Sequence, residues 1–441
     1  MRDRVVIGTG SAYGADKLDA AIELARAGIA DYIGFDCLAE RTLALAQLRK
    51  MNDPDAGHDV RVGTIVEEFA SYLSGGGKII GNFGAANPDM AVKVITDRMR
   101  DIGLSGIAVG AIRGDDVLTQ VIDNDVELPE MGCRVSDLSD KVLSANAYIG
   151  ADGIVDLLHQ GASFVVGGRL ADPSLFVAPL CFELGWALDD WDRVATATLI
   201  GHLLECGVHS TGANFVDPPY RLADLMNLGA PVAEVTNDEY VFTKTPGSGG
   251  VVNALTAKTQ IGYEIHDPAR YFTPDVTANF RDVWVKEVGP DRVQVGGATG
   301  TPYPQDYKVL VGLDLGWKAV GEISFGGTGC IGRARLAEEL ILARLKAFAA
   351  DIDEMHTSMH GVSALLGAGM STGEPADVRL RVAARCYTQE TANRLVAEME
   401  YLYFGPAGAA GPTGSVVKAI AVTPAYLKRS DVKVETELVR S

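Results

Sequence analysis

Residues 144–174, SANAYIGADGIVDLLHQGASFVVGGRLADPS, determine the predicted fold of this chain. The stretch begins with a polar turn, forms a predicted helix over 152–160, and continues as an apolar strand over 164–166. A second polar turn, which contains Arg169 and Asp172, follows the strand. This order of turn, helix, strand and turn is typical of one unit of a parallel α/β sheet, with polar residues beyond the strand ends.

A similar unit lies at residues 8–41, GTGSAYGADKLDAAIELARAGIADYIGFDCLAER. The motifs AY, GAD and LA followed by an acid occur in both units in the same order. We interpret them as a diverged internal duplication that brings two turns, each with an acid and an arginine, to corresponding places in one sheet. The alternative is that α/β units resemble one another because helix caps and strand exits use the same residue types.

Residues 1–215 alternate short strands rich in Val, Ile and Gly with amphipathic helices. This pattern predicts an α/β fold with a mostly parallel open sheet and helices on both faces. The predicted strands cover 5–8, 32–36, 78–82, 106–112 and 164–167. The predicted helices cover 17–27, 40–50, 63–73, 88–102, 152–160 and 194–206. Because ligands of open α/β sheets bind beyond the carboxyl ends of the strands, the polar loops at these ends are predicted to form the site.

Two further domains are predicted after the α/β region. A β-rich middle segment covers 216–310 and contains a hairpin at 283–295, and an α+β domain covers 311–441. A second hairpin is predicted at 307–325. The stretch at 404–414, rich in glycine and proline, is predicted to be a loop that serves either as a mobile lid or as a linker.

The composition limits the classes of function. The chain has 441 residues and a formal net charge of −19 at pH 7, which argues against general binding to nucleic acid phosphates or to anionic membranes. Its six cysteines are scattered without a CxxC pair, which favours reduced thiols over disulfides or structural zinc. Because neither a signal peptide nor an apolar run of about 18 residues is found, a soluble cytoplasmic protein is predicted.

The glycine-rich turn GTGSAYGAD at 8–16 is the first candidate ligand site. Glycines let backbone amides turn toward an anion, so we predict a substrate phosphate or carboxylate here. The predicted contacts are Gly10, Ser11, Tyr13 and Gly14. The glycine spacing is not that of a dinucleotide site, although Asp36 lies where an acid could hold a ribose hydroxyl. The alternative is a simple tight turn in which Asp16 caps the helix.

Acids and arginines of the two similar turns form the second candidate, in which Glu40 and Arg41 face Asp172 and Arg169. Two carboxylates in one cleft can divide the roles of acid and base when their surroundings separate their pKa values, and arginine binds a carboxylate through two hydrogen bonds. We therefore predict proton removal next to a carbonyl and protonation of a leaving hydroxyl. The alternative is that Glu40 and Asp172 only stabilise helix N-termini.

The segment GHLLECGVHSTGANF at 201–215 is a candidate metal site or acid/base site. His202, Glu205 and His209 are spaced at i, i+3 and i+7, and such donors on one helical face can hold a divalent metal that activates water. Gly207 is expected to end the helix and to turn His209 away from that face. The alternatives are a buried polar face or a single acid/base histidine, His202.

Glycine loops and polar strand exits complete the predicted rim. The loop TPGSGG at 245–250 offers backbone amides for a carboxylate or a thioester carbonyl, with Thr245, Ser248 and Gly249 as contacts. The loop GGTG at 326–329 offers the same, or its glycines serve close packing. The remaining candidates are Asn82, Arg113 and Asn146 for substrate binding and Asp116 for catalysis.

Together these motifs resemble a known family. GTGSAYGAD with FDCLAERT, GNFGAANP, SANAYIGADGIVDLLHQGA, GRLADPSL, DWDRVATATLIGHLLECG and TPGSGG are similar, in this order, to the acyclic terpene utilisation AtuA family. The resemblance implies a bacterial catabolic protein that acts on a branched hydroxyglutaryl-CoA in the breakdown of citronellol- and geraniol-type terpenoids, or on other branched acids. It also implies a version without the further C-terminal domain of about a hundred residues that many members carry, a part that a small subunit would replace.

The resulting hypothesis is a lyase for a small branched hydroxy acid or its CoA thioester, either a hydro-lyase of the hydratase or dehydratase type or a carbon–carbon lyase. CoA would enter as part of the substrate, and a divalent metal is the one cofactor left open. The alternative is a non-catalytic large subunit that needs a small companion subunit for activity. A homo-oligomer without nucleic acid or membrane partners is expected.

Overall fold

The chain folds around a large sheet whose strand ends carry the polar loops. The structure is a computed structural model that describes residues 2–215, 224–367, 373 and 375–440. Its helices are α1 (Asp19–Ala27), α2 (Glu40–Asn52), α3 (Val62–Glu68), α4 (Ala70–Ser74), α5 (Pro88–Asp101), α6 (Leu118–Asp123), α7 (Asp152–His159), α8 (Ser174–Leu184), α9 (Trp191–Glu205), α10 (Ala254–Ile261), α11 (Cys330–Leu345) and α12 (Gln389–Tyr401).

The strands alternate with these helices along the first part of the chain and dominate its middle. They are β1 (Arg4–Ser11), β2 (Tyr32–Phe35), β3 (Lys78–Gly81), β4 (Ala108–Arg113), β5 (Glu127–Leu128), β6 (Cys133–Arg134), β7 (Val142–Ala147), β8 (Phe164–Gly167), β9 (Pro231–Thr236), β10 (Tyr240–Lys244), β11 (Tyr271–Phe272), β12 (Thr277–Asn279), β13 (Trp284–Gly289), β14 (Arg292–Gly296), β15 (Thr299–Thr301), β16 (Asp306–Gly326), β17 (Ile352–His360), β18 (Asp377–Cys386), β19 (Ala409–Lys428) and β20 (Glu435–Arg440).

The largest sheet has ten strands in the order β13-β14-β10-β9-β1-β2-β3-β8-β4-β20. Its five central strands, from β1 to β4 in that order, run parallel. Antiparallel strands flank them, with β9 beside β1 and β20 beside β4. The α/β class and the five strands predicted in the first half are confirmed. The whole sheet is mixed rather than mostly parallel, because the flanking strands come from the later half of the chain.

Burial on both faces explains the apolar sequence of the central strands. Every residue of β2 (YIGF) and of β8 (FVVG) is buried. Below the strand ends, the Phe35 ring lies 5.5 Å from Phe69 and 5.2 Å from Phe83, measured between ring centroids. Gly10 gives this cluster room, since a Cβ there would come within 2.3 Å of the Phe35 ring. The loops therefore start from a closely packed base.

Local signals set some of the helix ends. Asn87 caps α5 by accepting a hydrogen bond from the Met90 amide, and Pro88 occupies the first helical position, as predicted. The predicted helix over 63–73 is two helices, α3 and α4, which meet at Phe69. Helix α8 was not predicted, because it is buried on nearly all sides and contains Pro179, so it lacks an amphipathic period. In the described part of the chain, no helix combines the length and apolarity needed to cross a bilayer.

Two compact units make up the chain: Met1–Gly312 with Val422–Ser441, and Leu313–Ala421. The second unit follows the order β16-α11-β17-β18-α12-β19, and its sheet has the strand order β17-β18-β16-β19. This is the ferredoxin-like βαββαβ arrangement. Helices α11 and α12 share one apolar core with the sheet. The division at residues 215 and 310 stays a prediction.

Two predictions for the later half of the chain are wrong. Residues 307–325 form no hairpin but lie in the single strand β16. Gly316 adopts a positive φ of 85° without reversing the chain, and Gly321 makes room for Met399 of α12. The stretch 404–414 is not wholly a loop, since β19 begins at Ala409. β19 is an edge strand, a position in a sheet that tolerates proline.

The two similar segments of the α/β region have related but unequal structures. Their strands β2 and β8 are both parallel and are separated by β3. Asp152 is the first residue of α7, whereas Asp16 precedes α1 by three residues and closes a turn by accepting from the Ala12 amide at 3.0 Å. The internal duplication therefore stays a hypothesis.

Candidate functional site

Arg169 lies at the centre of a buried charged cluster beyond the carboxyl ends of β2 and β8. Its side chain is 3% exposed, and its Nη1 donates to Asp172 Oδ1 at 2.7 Å. The same nitrogen donates to the carbonyls of Leu38 at 3.2 Å and Leu170 at 3.3 Å. The Arg169 Nε is buried without a hydrogen-bond partner among the described residues. Arg169 and Asp172, predicted as a pair from the sequence, are in contact.

The backbone of the stretch 144–174 places a tyrosine against this arginine. The Ile149 amide donates to the Arg169 carbonyl, and the Ala171 amide donates to the Ile149 carbonyl, both at 2.9 Å. These bonds hold the two polar turns of the stretch side by side. As a result the Arg169 guanidinium lies 4.1 Å from the centroid of the Tyr148 ring, a cation–π contact.

Asp36 is the second buried acid of the cluster. Its Oδ1 accepts from Asn82 Nδ2 at 2.8 Å and from the Leu38 amide at 3.1 Å. Burial and the nearby Asp172 carboxylate raise the pKa of Asp36 well above its usual range, although Arg169 and Asn82 counteract the shift. The predicted binding residue Asn82 thus holds Asp36, and its Oδ1 accepts from the Cys37 amide at 2.6 Å.

Glu40 reaches the cluster from the start of α2. Its Oε1 accepts from the Tyr148 hydroxyl at 3.1 Å and lies 3.7 Å from Lys308 Nζ. Burial alone would raise the pKa of Glu40, but Lys308 and Arg169 outweigh it and lower that pKa below its usual value. The neighbouring Arg41 is exposed and has no hydrogen bond or ion pair with the described residues.

Asp115 supports Arg169 from the end of β4. Its Oδ2 accepts from the Arg169 amide at 2.8 Å and from Asn146 Nδ2 at 2.9 Å. Burial raises the pKa of Asp115 to about 6. Asn146, predicted to bind substrate, is therefore bonded to Asp115, the acid that also binds the Arg169 amide. Asp116 is exposed, and its carboxylate accepts from the Leu118 amide at 3.3 Å.

The glycine-rich turn at 8–16 packs against the exit of β2. Ser11 Oγ donates to the Asp36 carbonyl at 2.7 Å, so this predicted residue contacts the cluster through the backbone. A Cβ at Gly14 would lie 2.9 Å from the Cys37 carbonyl, which explains the glycine by close approach. Tyr13 is half-exposed.

His202 and Glu205 form a buried pair at the end of α9. His202 Nδ1 lies 2.7 Å from Glu205 Oε1. Burial lowers the pKa of His202, but Glu205 outweighs this and raises it. Burial raises the pKa of Glu205, His202 counteracts the shift, and the Asp172 carboxylate adds to it.

The predicted metal set of His202, Glu205 and His209 is not assembled. Gly207 has a positive φ of 55°, and His209 is exposed in a short 3-10 helix beyond the end of α9. Within the described ranges, no three His, Cys, Asp or Glu side chains lie where they could together hold a metal ion. The turn at Gly207, predicted from the sequence, explains why His209 leaves the helical face that carries His202 and Glu205.

Two other groups of predicted residues lie apart from the Arg169 cluster. The 245–250 loop borders a groove of about 320 Å³ whose lining includes no member of that cluster. Polar groups of this loop are bonded to nearby backbone carbonyls. Ser248 Oγ donates to the Thr245 carbonyl at 2.5 Å, and the Gly249 amide donates to the Asn227 carbonyl at 2.7 Å. Arg113 is bound to two surface carboxylates, Asp89 and Glu437.

Sequence reasoning missed three members of the cluster. Asp36 was considered only for a ribose, although it follows a buried strand as Asp172 does. Tyr148 lies in the repeated AY motif, which was a usable signal. Lys308 comes from β16 and approaches because the Tyr148 amide donates to the Lys308 carbonyl at 3.0 Å, a contact that no local pattern encodes.

Comparison with protein families gives a match over most of the chain. The family described as "Acyclic terpene utilisation family protein AtuA" matches residues 5–438. Neither a curated protein nor a solved structure gives a significant match.

Proposed function

Because its family match spans nearly its whole length, the chain belongs to the acyclic terpene utilisation AtuA family, and we propose that it is a lyase of that catabolism. Its proposed substrate is a small branched hydroxy acid or the CoA thioester of such an acid. The observation that supports this proposal is the buried Arg169, which is in contact with Asp172 and next to Asp36 beyond two parallel strand ends. Ligands of α/β sheets bind in this place.

The charges of the cluster suit the recognition of an acid. Arg169 is a permanent cation whose Nε has no partner among the described residues, and a buried guanidinium favours a carboxylate or an enolate oxygen over a neutral group. Lys308 adds a second cation beside Glu40. These cations allow an anionic substrate to bind a chain whose net charge is −19.

The two acids next to Arg169 divide the roles of base and acid. Asp172 is 30% exposed, so its carboxylate can reach a substrate and remove the proton next to the carbonyl. Asp36 is buried, and burial together with the Asp172 carboxylate raises its pKa, which favours the protonated form that a general acid needs. In the hydro-lyase case the substrate loses this carbon-bound proton to Asp172. Its hydroxyl takes a proton from the Asp36 carboxyl group and leaves as water. Glu40 and His202 are the remaining acid/base candidates.

A non-catalytic large subunit is the second candidate. The low exposure of the centre of the cluster favours it, because Arg169 and Asp36 are almost fully buried, whereas Asp172, Glu40 and Lys308 reach the surface. A small companion subunit would then supply the missing reactive groups or open the site. In that case the isolated chain binds the substrate without converting it.

Turnover by the purified chain alone separates the two candidates. We expect branched 3-hydroxy acids or their CoA thioesters to yield an unsaturated or a cleaved product, detected by mass spectrometry. The same compounds should raise the melting temperature, because ligands that bind only the folded state stabilise it. Stabilisation without turnover would favour the companion-subunit candidate. Neither stabilisation nor turnover with any such compound would refute both.

A further inference from the structure

We propose that the outer face of α11 binds the same face of a second copy of this chain. This helix carries two apolar seams. Its inner seam is buried in the core of the second unit and consists of Cys330, Ala334, Ala337, Ile341 and Leu345. Its outer seam is exposed and consists of Leu336, Leu340 and Ala343, and it continues to Ala347 in the 3-10 helix (Lys346–Asp351) that follows α11 directly. A helix with one core-facing side normally presents polar residues on the other.

The outer seam has the spacing of a helix-pairing surface. Steps of four, three and four residues separate its members, which is the heptad pattern of helices that pack side by side. Leu336 is 48% and Leu340 is 42% exposed. The seam continues as an aromatic surface, because the Arg344 guanidinium lies 4.3 Å from the ring centroid of Tyr401, next to Phe404. Phe404 is 83% exposed. A contiguous patch of this kind marks an interaction site.

The side-chain volumes of the seam favour a second copy over an unrelated partner. In an antiparallel pair, a two-fold axis between Leu340 and Ala343 places Leu340 of each copy opposite Ala343 of the other. The same axis places Leu336 opposite Ala347. Each large residue then meets a small one, which is the packing that two identical helix faces need.

The charges beside the seam are also self-complementary. Glu339 and Lys346 lie on the same flank, one helical repeat apart. Both are exposed, and neither makes an ion pair with the described residues. Across the two-fold axis, Glu339 of one copy comes next to Lys346 of the other, twice per dimer. Such flanking charges set the partner and the orientation of paired helices.

Sedimentation of the full-length protein tests the apolar part of this proposal. We expect a dimer at micromolar concentration and at least about a 100-fold weaker dimer in Leu340→Glu, because a charge would replace a central contact. Val60→Glu, which changes a residue 80% exposed outside the patch, should leave the dimer intact. A monomeric wild type at about 100 μM, or a Leu340→Glu variant that dimerises normally, would overturn the proposal.

Charge reversal tests the orientation and does not depend on the leucine variant. Glu339→Lys and Lys346→Glu should each weaken the dimer several-fold, and the double variant Glu339→Lys/Lys346→Glu should recover it. If the loss of dimer affinity in the double variant equals the sum of the losses in the two single variants, the antiparallel pairing is wrong. Catalytic turnover does not enter either measurement, so the test is independent of the proposed function.

Discussion

Arg169 and Arg113 lie at the carboxyl ends of the neighbouring parallel strands β8 and β4 and bind carboxylates, but their surroundings differ. Arg113 is 32% exposed and is paired with Asp89 and Glu437 in contact with water. Arg169 is 3% exposed and shares its surroundings with Asp172, Asp36 and a tyrosine ring. Surface pairs contribute about 0–1 kcal/mol, whereas breaking a buried pair costs several kcal/mol. Depth below the surface, and not residue type, thus separates a candidate functional charge from an ordinary one.

The largest expected effect follows from removing the buried cation. Arg169→Met leaves the Asp172 carboxylate without its counter-charge, so we expect about 3–5 kcal/mol lower stability. Urea unfolding checks this, with Arg113→Met as the matched surface variant. Equal losses in the two variants would show that the comparison between buried and exposed arginines is wrong.

Removing the partly exposed acid tests chemistry rather than stability. Under the proposed function, Asp172→Asn keeps the size of the side chain but loses the base, and turnover should fall about 10²–10⁴-fold. Asp89→Asn, which alters the partner of Arg113, serves as the control and should keep its turnover. A normal rate in Asp172→Asn would remove this residue from the mechanism.

The pH dependence of stability tests whether Asp115, which binds the amide of the buried Arg169, is itself buried. Its pKa of about 6 in the folded protein exceeds the usual value near 4, so its contribution to stability is complete below about pH 4 and is lost as the pH rises through 6. The wild type should lose about 2 kcal/mol relative to Asp115→Asn between pH 4 and pH 6. Parallel stability curves for the two proteins would contradict the buried state of this acid.

The smallest effect is expected at the surface pair. Glu437→Gln removes one partner of Arg113 and should change stability by less than about 1 kcal/mol. Added salt should reduce the difference further, because exposed charges are screened. Melting temperatures at low and high salt measure it. A loss as large as that of Arg169→Met would mean that the Arg113 pair is effectively buried.

The sequence predicted the parts of the fold and site that depend on local pattern. Strands β2 and β8 are recognisable because they are short apolar runs that end in polar turns. The contact between Arg169 and Asp172 follows from their closeness in one turn. The end of α9 follows from Gly207, which also explains why His209 leaves the helical face.

Contacts between distant segments could not be predicted in the same way. Lys308 reaches Glu40 through the pairing of β16 with β7, and pairing partners are not encoded in the period of either strand. The pKa of Asp36 depends on Asn82 and Arg169, which follow two other strands. The continuous strand β16 was missed because its glycines serve helix packing and a local change of direction instead of a turn.

The pairing of β20 with β4 has a consequence for how the chain is made. Arg113 and Glu437 are bonded across 324 positions, so the edge partner of β4 is synthesised long after β4 itself. Until then β4 offers an open row of amides and carbonyls to other nascent chains. Deleting residues 435–440 would make that exposure permanent. We therefore expect insoluble aggregates and a need for chaperones as its first consequences.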